Sequence, residues 1–149
     1  MQVCLKSGKE LWYLDSGCSR HMSGNATLFT KIKKKEHGNV TFGDKSMGKI
    51  IGIGKVSKDL SESIDNVYLV DGLKFNLLSI SQLCDKGNLA SFDSTHCIVQ
   101  NIESRKVNLY GPIIENVYAI DLNDISSSNL ACVKASQHDN MLVCTPFEN

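Results

Sequence analysis

Short extended segments, closely spaced and separated by polar turn residues, constrain the fold of this chain more than any other feature. Each segment is rich in apolar, β-branched or aromatic residues and is bounded by Asp, Ser, Asn, Gly or Pro. This pattern is typical of strands joined by tight turns. Helical spacing is convincing only in residues 77–86, which end before Gly87. The strand-like segments are residues 11–14, 39–56 (a hairpin), 64–69, 89–92, 97–102, 106–110 and 116–122.

The composition agrees with one globular domain. The chain has 149 residues, of which 42% are hydrophobic and 21% charged, so it can bury a core but cannot hold two catalytic lobes. The 16 basic residues balance the 16 acidic ones, which gives no bulk attraction to nucleic acid or anionic membranes. We therefore predict an all-β domain over residues 11–122.

The C-terminal residues carry no comparable pattern. Residues 123–129 read Asn-Asp-Ile-Ser-Ser-Ser-Asn, a linker composition, and the residues after them show no clear period. We interpret residues 123–149 as a mobile linker and tail. A chain that ends at Leu122 is expected to keep its fold and its activity.

Features that direct a chain to a membrane or out of the cell are absent from the sequence. The first residues lack the apolar stretch of a secretory signal, and no segment approaches the roughly 18 apolar residues of a membrane span. The six cysteines are accordingly interpreted as thiols of a reducing compartment. The expected location is the cytoplasm, with no membrane partner.

The strongest signal for chemistry is Asp15-Ser16-Gly17, directly after the apolar run at residues 11–14. Burial raises the pKa of a carboxyl group, while a hydroxyl and backbone amides opened by glycine can hold the ionised form. A carboxylate in such surroundings can be tuned for acid–base catalysis. The alternative is an aspartate that only caps a β-turn.

An Asp-Ser-Gly loop is also the signature of aspartic proteases, in which two carboxylates share a proton and activate a water molecule. The chain holds Asp71-Gly72 and Asp93-Ser94-Thr95 but no second Asp-Ser-Gly or Asp-Thr-Gly. One chain therefore supplies one carboxylate. A protease built this way requires a homodimer, with a second Asp15 across a twofold axis.

The predicted hairpin at residues 39–56 has a glycine-bearing tip at residues 43–48. A mobile hairpin of this kind could fold over a bound peptide and exclude water, although an ordinary β-hairpin has the same pattern.

Four segments together resemble the protease region of copia-type retrotransposon Gag-Pol polyproteins, a relative of the retropepsins. They are residues 12–22 (WYLDSGCSRHM), 40–44 (VTFGD), 48–52 (GKIIG) and 76–83 (NLLSISQL), in this order. The resemblance implies a retropepsin-like closed β-barrel or sandwich with a flap hairpin and one short helix, forming a twofold homodimer. The chain departs from the retropepsin pattern at Ser79, where retropepsins usually carry a glycine.

The resemblance implies roles for particular residues. Asp15 would be the catalytic acid and base, and Ser16, which with Gly17 forms the active-site loop, would bond across the dimer. The flap and substrate-binding residues would be Phe42, Gly43, Asp44, Lys45, Ser46, Met47 and Gly48. No cofactor or metal is implied.

The implied function is that of an aspartic endopeptidase that cleaves polyprotein junctions, in the cytoplasm or within virus-like particles. The His- and Cys-bearing segment that leads to integrase in such polyproteins is not found after Leu122, so we expect an isolated domain or a short remnant of a longer polyprotein. The alternative function is a catalytically inactive, domesticated domain that acts as a dimerisation or protein-interaction module.

Two other groups of residues invite weaker hypotheses. Cys18 and His21 stand at a C-x-x-H spacing and His96 adjoins Cys97, but structural zinc needs four ligands, usually in two close pairs. We interpret Cys18 as a loop thiol and His21 as a polar side chain. The lysines at 31 and 33–35 are followed by Glu36 and lack interleaved aromatics, so a solvated loop is favoured and no specific nucleic-acid partner is expected.

Overall fold

The computed structural model describes residues 10–35, 38–41, 45–57, 63–122 and 142–144. Within these ranges it contains twelve strands, one α-helix and one 3-10 turn (Ala26–Leu28). The strands are β1 (Leu11–Asp15), β2 (His21–Ser23), β3 (Phe29–Lys34), β4 (Asn39–Thr41), β5 (Met47–Ser57), β6 (Ser63–Asp71), β7 (Asn76–Ser79), β8 (Asn88–Phe92), β9 (His96–Asn101), β10 (Val107–Ile114), β11 (Val117–Asp121) and β12 (Leu142–Cys144); the helix is α1 (Ile80–Asp85).

The strands form one hydrogen-bonded path in the order β12-β8-β9-β10-β11-β1-β7-β2-β6-β5-β3, with β4 paired to β5. Strands from distant parts of this path share one core, since Val67 of β6, Val99 of β9 and Ile120 of β11 belong to the same buried cluster. The sheet therefore curls around its core in a barrel-like manner. The hydrogen-bonded path of the described strands ends openly at β3 and β12, so these strands do not show the closed barrel implied by the resemblance.

The C-terminal half of the domain follows its sequence pattern closely. Strands β8, β9, β10 and β11 pair antiparallel in succession, as their spacing predicts. Ala90, Cys97 and Leu109 face the core, while Asp, Asn and Ser residues occupy the intervening turns. This meander confirms the short strands and tight turns that the sequence predicts for residues 89–122.

The N-terminal half is less regular, because its neighbours in the sheet are distant in sequence. β1 lies between β11, which is antiparallel to it, and β7, which is parallel to it. β2 lies between β7 and β6, again with one antiparallel and one parallel neighbour. β1 and β7 therefore sit in the interior of the sheet, where both edges of each strand are paired.

The helix is shorter than its sequence pattern suggests. α1 covers Ile80–Asp85, whereas residues 77–79 of the predicted helical segment belong to β7. Ser79 is the N-cap of α1, and its hydroxyl oxygen accepts a hydrogen bond from the Gln82 N–H at 3.1 Å. The cap fixes the start of the helix, because it satisfies a backbone donor that has no partner within the helix. None of the helical segments in these ranges is long and apolar enough to cross a membrane.

The lysine-rich segment is a strand and not the loop predicted from the sequence. β3 spans Phe29–Lys34 and pairs with β5, and five of its six residues are exposed. β3 lies at one end of the sheet path. Lysines on an edge strand discourage pairing with another chain, which explains a charged composition in a segment that still adopts β structure.

The C-terminal segment contributes one strand to the described part of the chain. Leu142–Cys144 form β12, which pairs antiparallel with residues 90–92 of β8. These three residues therefore differ from the unpatterned tail that the sequence predicts, while the rest of residues 123–149 lies outside the described residues. A three-residue strand gives too short an alternation to be recognised from sequence.

Candidate active site

The candidate catalytic residue, Asp15, is the last residue of β1. The strand alternates strictly, with Trp12 and Leu14 buried in the core and Tyr13 and Asp15 half-buried on the other face. Because β1 pairs in parallel with β7, Asp15 lies opposite Ser79, where β7 gives way to α1. The prediction that an apolar strand carries this aspartate to a turn is confirmed.

The Asp15 carboxylate is fixed by the turn that follows it. The Gly17 N–H donates a hydrogen bond of 2.7 Å to Asp15 Oδ1. A Cβ atom at position 17 would lie 3.2 Å from the same oxygen, closer than ordinary contact, so glycine allows the amide to approach. Ser16 and Gly17 are exposed. The aspartate thus does cap a turn, and its second oxygen provides further acceptor capacity that a capping role does not use.

The loop after Asp15 returns to the same strand end. The Ser79 hydroxyl donates to the Cys18 carbonyl oxygen at 2.7 Å, and the Ser79 N–H donates to His21 Nδ1 at 2.9 Å. The His21 N–H in turn donates to Gln82 Oε1 at 2.7 Å. All three bonds join the loop to the junction of β7 and α1, so this junction determines where the Asp15 loop lies.

A second polar group fixes the other end of β1. Asn76, opposite Trp12 in the parallel register, donates from Nδ2 to the Leu11 carbonyl oxygen at 3.1 Å. Its Oδ1 accepts from the Ser23 hydroxyl at 2.6 Å. Buried polar groups are costly unless they are hydrogen-bonded, and here each one ties β7 to a neighbouring strand. β1, β7 and β2 are thereby held in one register beneath the candidate site.

Cys18 lies three residues after Asp15 but is a poor nucleophile. Burial, followed by the negative charge of Asp15, raises the pKa of the Cys18 thiol from 9.0 to about 12. The thiolate is the reactive form of cysteine, and it is scarcely populated at neutral pH with such a pKa. The site therefore does not support cysteine-based catalysis.

His21 is buried, with 2% of its surface exposed, although its sequence context suggested an ordinary polar side chain. Burial, followed by the charges of Lys86 and Arg20, lowers its pKa from 6.5 to about 4. The imidazole is consequently neutral at physiological pH. Since its Nδ1 accepts the Ser79 N–H, its proton resides on Nε2.

The depressed pKa of His21 predicts that the protein loses stability in mild acid. Between pH 6.5 and about 4 the unfolded chain binds a proton at His21 and the folded chain does not, so the free energy of unfolding falls as the pH falls. The loss is about 3 kcal/mol across this window, at roughly 1.4 kcal/mol per pH unit. Urea denaturation at several pH values measures it.

The control for this prediction is His21→Asn, which offers a hydrogen-bond acceptor and does not titrate. Its unfolding free energy is expected to change less between pH 6.5 and 4 than that of the wild type. Asp93 is a second group with a lowered pKa: burial raises the pKa, but hydrogen bonds from Thr95 and His96 lower it by more. The stability that Asp93 contributes is lost only below its usual pKa of 3.8, outside this pH window. Equal pH dependence of the two proteins would show that His21 is not the titrating group.

The predicted flap is partly described. β4 and β5 form the expected hairpin, with Val40 opposite Gly48, and its base packs against the cluster of Met22, Ile50 and Val70 that Cys18 also contacts. The hairpin and the Asp15 loop therefore share one apolar cluster. Among the proposed flap residues, Lys45 is left-handed with φ 69°, Ser46 follows it, Met47 is 64% exposed and Gly48 is buried; Phe42, Gly43 and Asp44 lie outside the described residues.

A cavity of about 390 Å³ lies on another side of the His21 network and does not include Asp15. Both polar and apolar side chains line it, the polar ones including His21, Asp65, Gln82, Lys86 and Asn88. Gln82 Nε2 donates to the Asn66 carbonyl oxygen at 3.1 Å. The cavity therefore borders His21 and Gln82, which support the Asp15 loop, and Asp15 is not part of its lining.

The histidines and cysteines singled out in the sequence are not assembled into a ligand set. In the ranges that the structure covers, no group of three or more His, Cys, Asp or Glu side chains is placed to hold a metal ion. His21 is engaged with Ser79, and His96 Nδ1 lies 2.8 Å from Thr95 Oγ1. Cys97 is fully buried in the core.

Sequence reasoning located Asp15 but missed most of the residues that position it. Ser79, Gln82 and Asn76 were not singled out for a functional role. The available signal was Ser79-Ile80-Ser81-Gln82, a Ser-x-x-Gln pattern typical of a helix N-terminus. It would have placed the start of α1 correctly.

Comparison with known proteins gives one match. Residues 12–88, just over half of the 149 residues, match the family described as Pol polyprotein, beta-barrel domain. No curated protein and no solved structure matches the chain. The matched region begins at Trp12 of β1 and ends at Asn88 of β8, so it contains Asp15, the hairpin base and the junction of β7 and α1. The chain therefore belongs to the Pol polyprotein beta-barrel domain family and represents a retroelement-type polyprotein region.

Proposed function

We propose that this domain is an aspartic endopeptidase of a copia-type retrotransposon polyprotein, with a dyad made of Asp15 from each of two chains. The observation that supports it best is the position of Asp15: a half-buried carboxylate at the end of an interior strand, with a turn amide on one oxygen and a loop braced by Ser79. Catalytic groups need this kind of support from a rigid element. Membership of a Pol polyprotein family is consistent with the proposal.

In the proposed reaction, a water molecule between the two Asp15 carboxyl groups attacks the peptide carbonyl carbon. The ionised carboxylate takes a proton from the water, and the protonated carboxyl group of the other chain donates its proton to the carbonyl oxygen. The resulting tetrahedral diol collapses as the first carboxyl group passes its new proton to the leaving nitrogen and the other carboxylate takes a proton from one diol hydroxyl. The C–N bond breaks, and the dyad is left with one proton, as at the start. Ser16 would bond across the dimer and brace the two loops.

The proposed substrates are polyprotein junctions in an extended conformation. Such a peptide can pair as an added strand, which gives affinity through main-chain hydrogen bonds and specificity through side-chain pockets. The flap, residues 42–48, would cover it, and the exposed Met47 is a candidate contact. No metal or cofactor takes part in this mechanism, and neither a membrane nor a specific nucleic acid is proposed as a partner.

The proposal predicts cleavage of an unstructured protein, such as reduced and alkylated casein, at pH 5 to 6. A transition-state mimic of the statine type is expected to block cleavage, while inhibitors of serine, cysteine and metalloproteases have no effect. Circular dichroism at the same pH verifies that the protein is folded, which matters because His21 destabilises it in acid. A folded dimer that cleaves nothing would favour the inactive interaction module instead.

A further inference from the structure

The backbone N–H of Ser79, the residue that caps α1, is hydrogen-bonded to a side chain from a distant strand. In a usual Ser-x-x-Gln cap, the glutamine side chain accepts the N–H of the capping serine. Here the Ser79 N–H donates to His21 Nδ1, and Gln82 Oε1 accepts the N–H of His21 itself. His21 of β2, which lies 58 residues before Ser79 in the chain, thus takes the place of Gln82 as acceptor of the Ser79 N–H.

Ser79, the residue that His21 contacts, also lies next to Asp15 and its loop. Ser79 is the register partner of Asp15 in the parallel β1–β7 pair, and its hydroxyl also holds the Cys18 carbonyl oxygen. The loop from Asp15 to His21 therefore begins and ends against the same residue. A change in the orientation of Ser79 would move both ends of this loop.

The acceptor that orients Ser79 must be a side chain of particular shape. The N–H of Ser79 lies at a buried helix start, where a donor without a partner is costly. The imidazole is neutral, and the positive charges of Lys86 and Arg20 act on it. The charged and polar groups that line the cavity beside it include Asp65, Gln82, Lys86 and Asn88. An apolar side chain at position 21 would fill the space and leave the Ser79 N–H unpaired.

We propose that His21 is a positioning residue for Asp15: its Nδ1 orients Ser79, which fixes the Asp15 loop and so the direction of the catalytic carboxylate. The inference rests on the proposed peptidase function for its effect on rate. The geometric part, that His21 determines where the Asp15 turn lies, stands on the hydrogen bonds alone.

The test compares His21→Leu with His21→Asn. Asparagine places Oδ1 near the position of Nδ1 and keeps the acceptor, whereas leucine removes it at similar volume. At pH 6 we expect His21→Leu to lower kcat between about tenfold and a hundredfold, as for a catalytic group displaced by about 1 Å, with KM changed less than about threefold. His21→Asn is expected to restore kcat to within about threefold of the wild type.

Asn88→Leu is the matched control, because it removes another buried side chain that lines the same cavity. Among the described residues, its hydrogen bonds join it to Leu83 and Asn108 and not to the Asp15 loop. It is expected to lower the melting temperature and to leave kcat per folded molecule unchanged. If His21→Leu and Asn88→Leu reduce kcat equally, or His21→Asn does not recover it, the positioning role is overturned.

A spectroscopic measurement separates failure of this inference from failure of the proposed function. The Gly17 amide proton, bonded to Asp15 Oδ1, reports the position of the turn even in a protein without peptidase activity. Its resonance should shift in His21→Leu and return in His21→Asn. If His21→Leu does not fold, the wild type still decides: long-range 1H–15N spectra at pH 7 must show the proton on Nε2, and a proton on Nδ1 would overturn the inference.

Discussion

Replacing Asp15 by asparagine is expected to abolish peptidase activity while leaving the fold intact. An amide cannot take the proton from the attacking water, and loss of a general acid–base group typically lowers a rate by about 10²- to 10⁴-fold. The asparagine carbonyl oxygen can still accept the Gly17 N–H, which is the hydrogen bond that the turn requires. We therefore expect the free energy of unfolding to change by no more than about 1 kcal/mol.

The matched control is Asp71→Asn. Like Asp15, Asp71 is the last residue of a strand, but it is exposed and lies opposite Lys49 in the β5–β6 pair. This change is expected to leave kcat within about twofold of the wild type. Activity is measured on the unstructured substrate, and folding by urea denaturation of both variants at pH 6. Full turnover by a folded Asp15→Asn protein would exclude Asp15 as the catalyst.

The parts of this fold that the sequence predicts are those governed by local patterns. Trp12 and Leu14 alternate with Tyr13 and Asp15, so the strand and its turn follow from the residues alone. The hairpin of β4 and β5 and the meander from β8 to β11 likewise connect neighbours in sequence. Local contacts leave local traces in the pattern of apolar and polar residues.

The parts that escaped prediction depend on pairing between distant segments. His21-Met22-Ser23 has no alternation because all three residues of β2 are buried between β7 and β6. Leu77, Ile80 and Leu83 stand at helical spacings of three residues, yet parallel pairing with β1 extends Leu77 and its neighbour Leu78. The site divides in the same way: Asp15 was evident from its loop, whereas the contacts of Ser79 with Cys18 and His21 arise only when β1, β7 and β2 come together.

The described residues also bear on whether one chain could supply both carboxylates. Asp93, in the other Asp-Ser sequence, uses its Oδ1 to accept the N–H groups of Thr95 and His96 at the β8–β9 turn. Asp71 is the exposed last residue of β6. Neither aspartate is bonded to the Asp15 loop in the part of the chain that the structure covers. In the proposed mechanism the second carboxylate is that of a second copy of Asp15.

Specific activity is accordingly expected to fall when the protein is diluted through its dimer dissociation constant, because only the dimer has two carboxylates. At high dilution the rate should scale with the square of the protein concentration. Sedimentation velocity over the same concentrations measures the dimer fraction, which should follow the specific activity. The pH profile should be bell-shaped, with two apparent pKa values that belong to the pair.

Mixing wild-type chains with Asp15→Asn chains provides the sharper test of the shared dyad. Once subunits have exchanged, a ninefold excess of the variant leaves about one wild-type chain in ten with a wild-type partner, so activity per wild-type chain should fall about tenfold. An equal excess of a chain carrying both Asp15→Asn and a separate change that prevents dimerisation should have no effect. Because heterodimers hold one carboxylate and one amide, activity that resists the Asp15→Asn chain, or that stays constant on dilution to monomer, would exclude the symmetric dyad even for a protein that cleaves peptides.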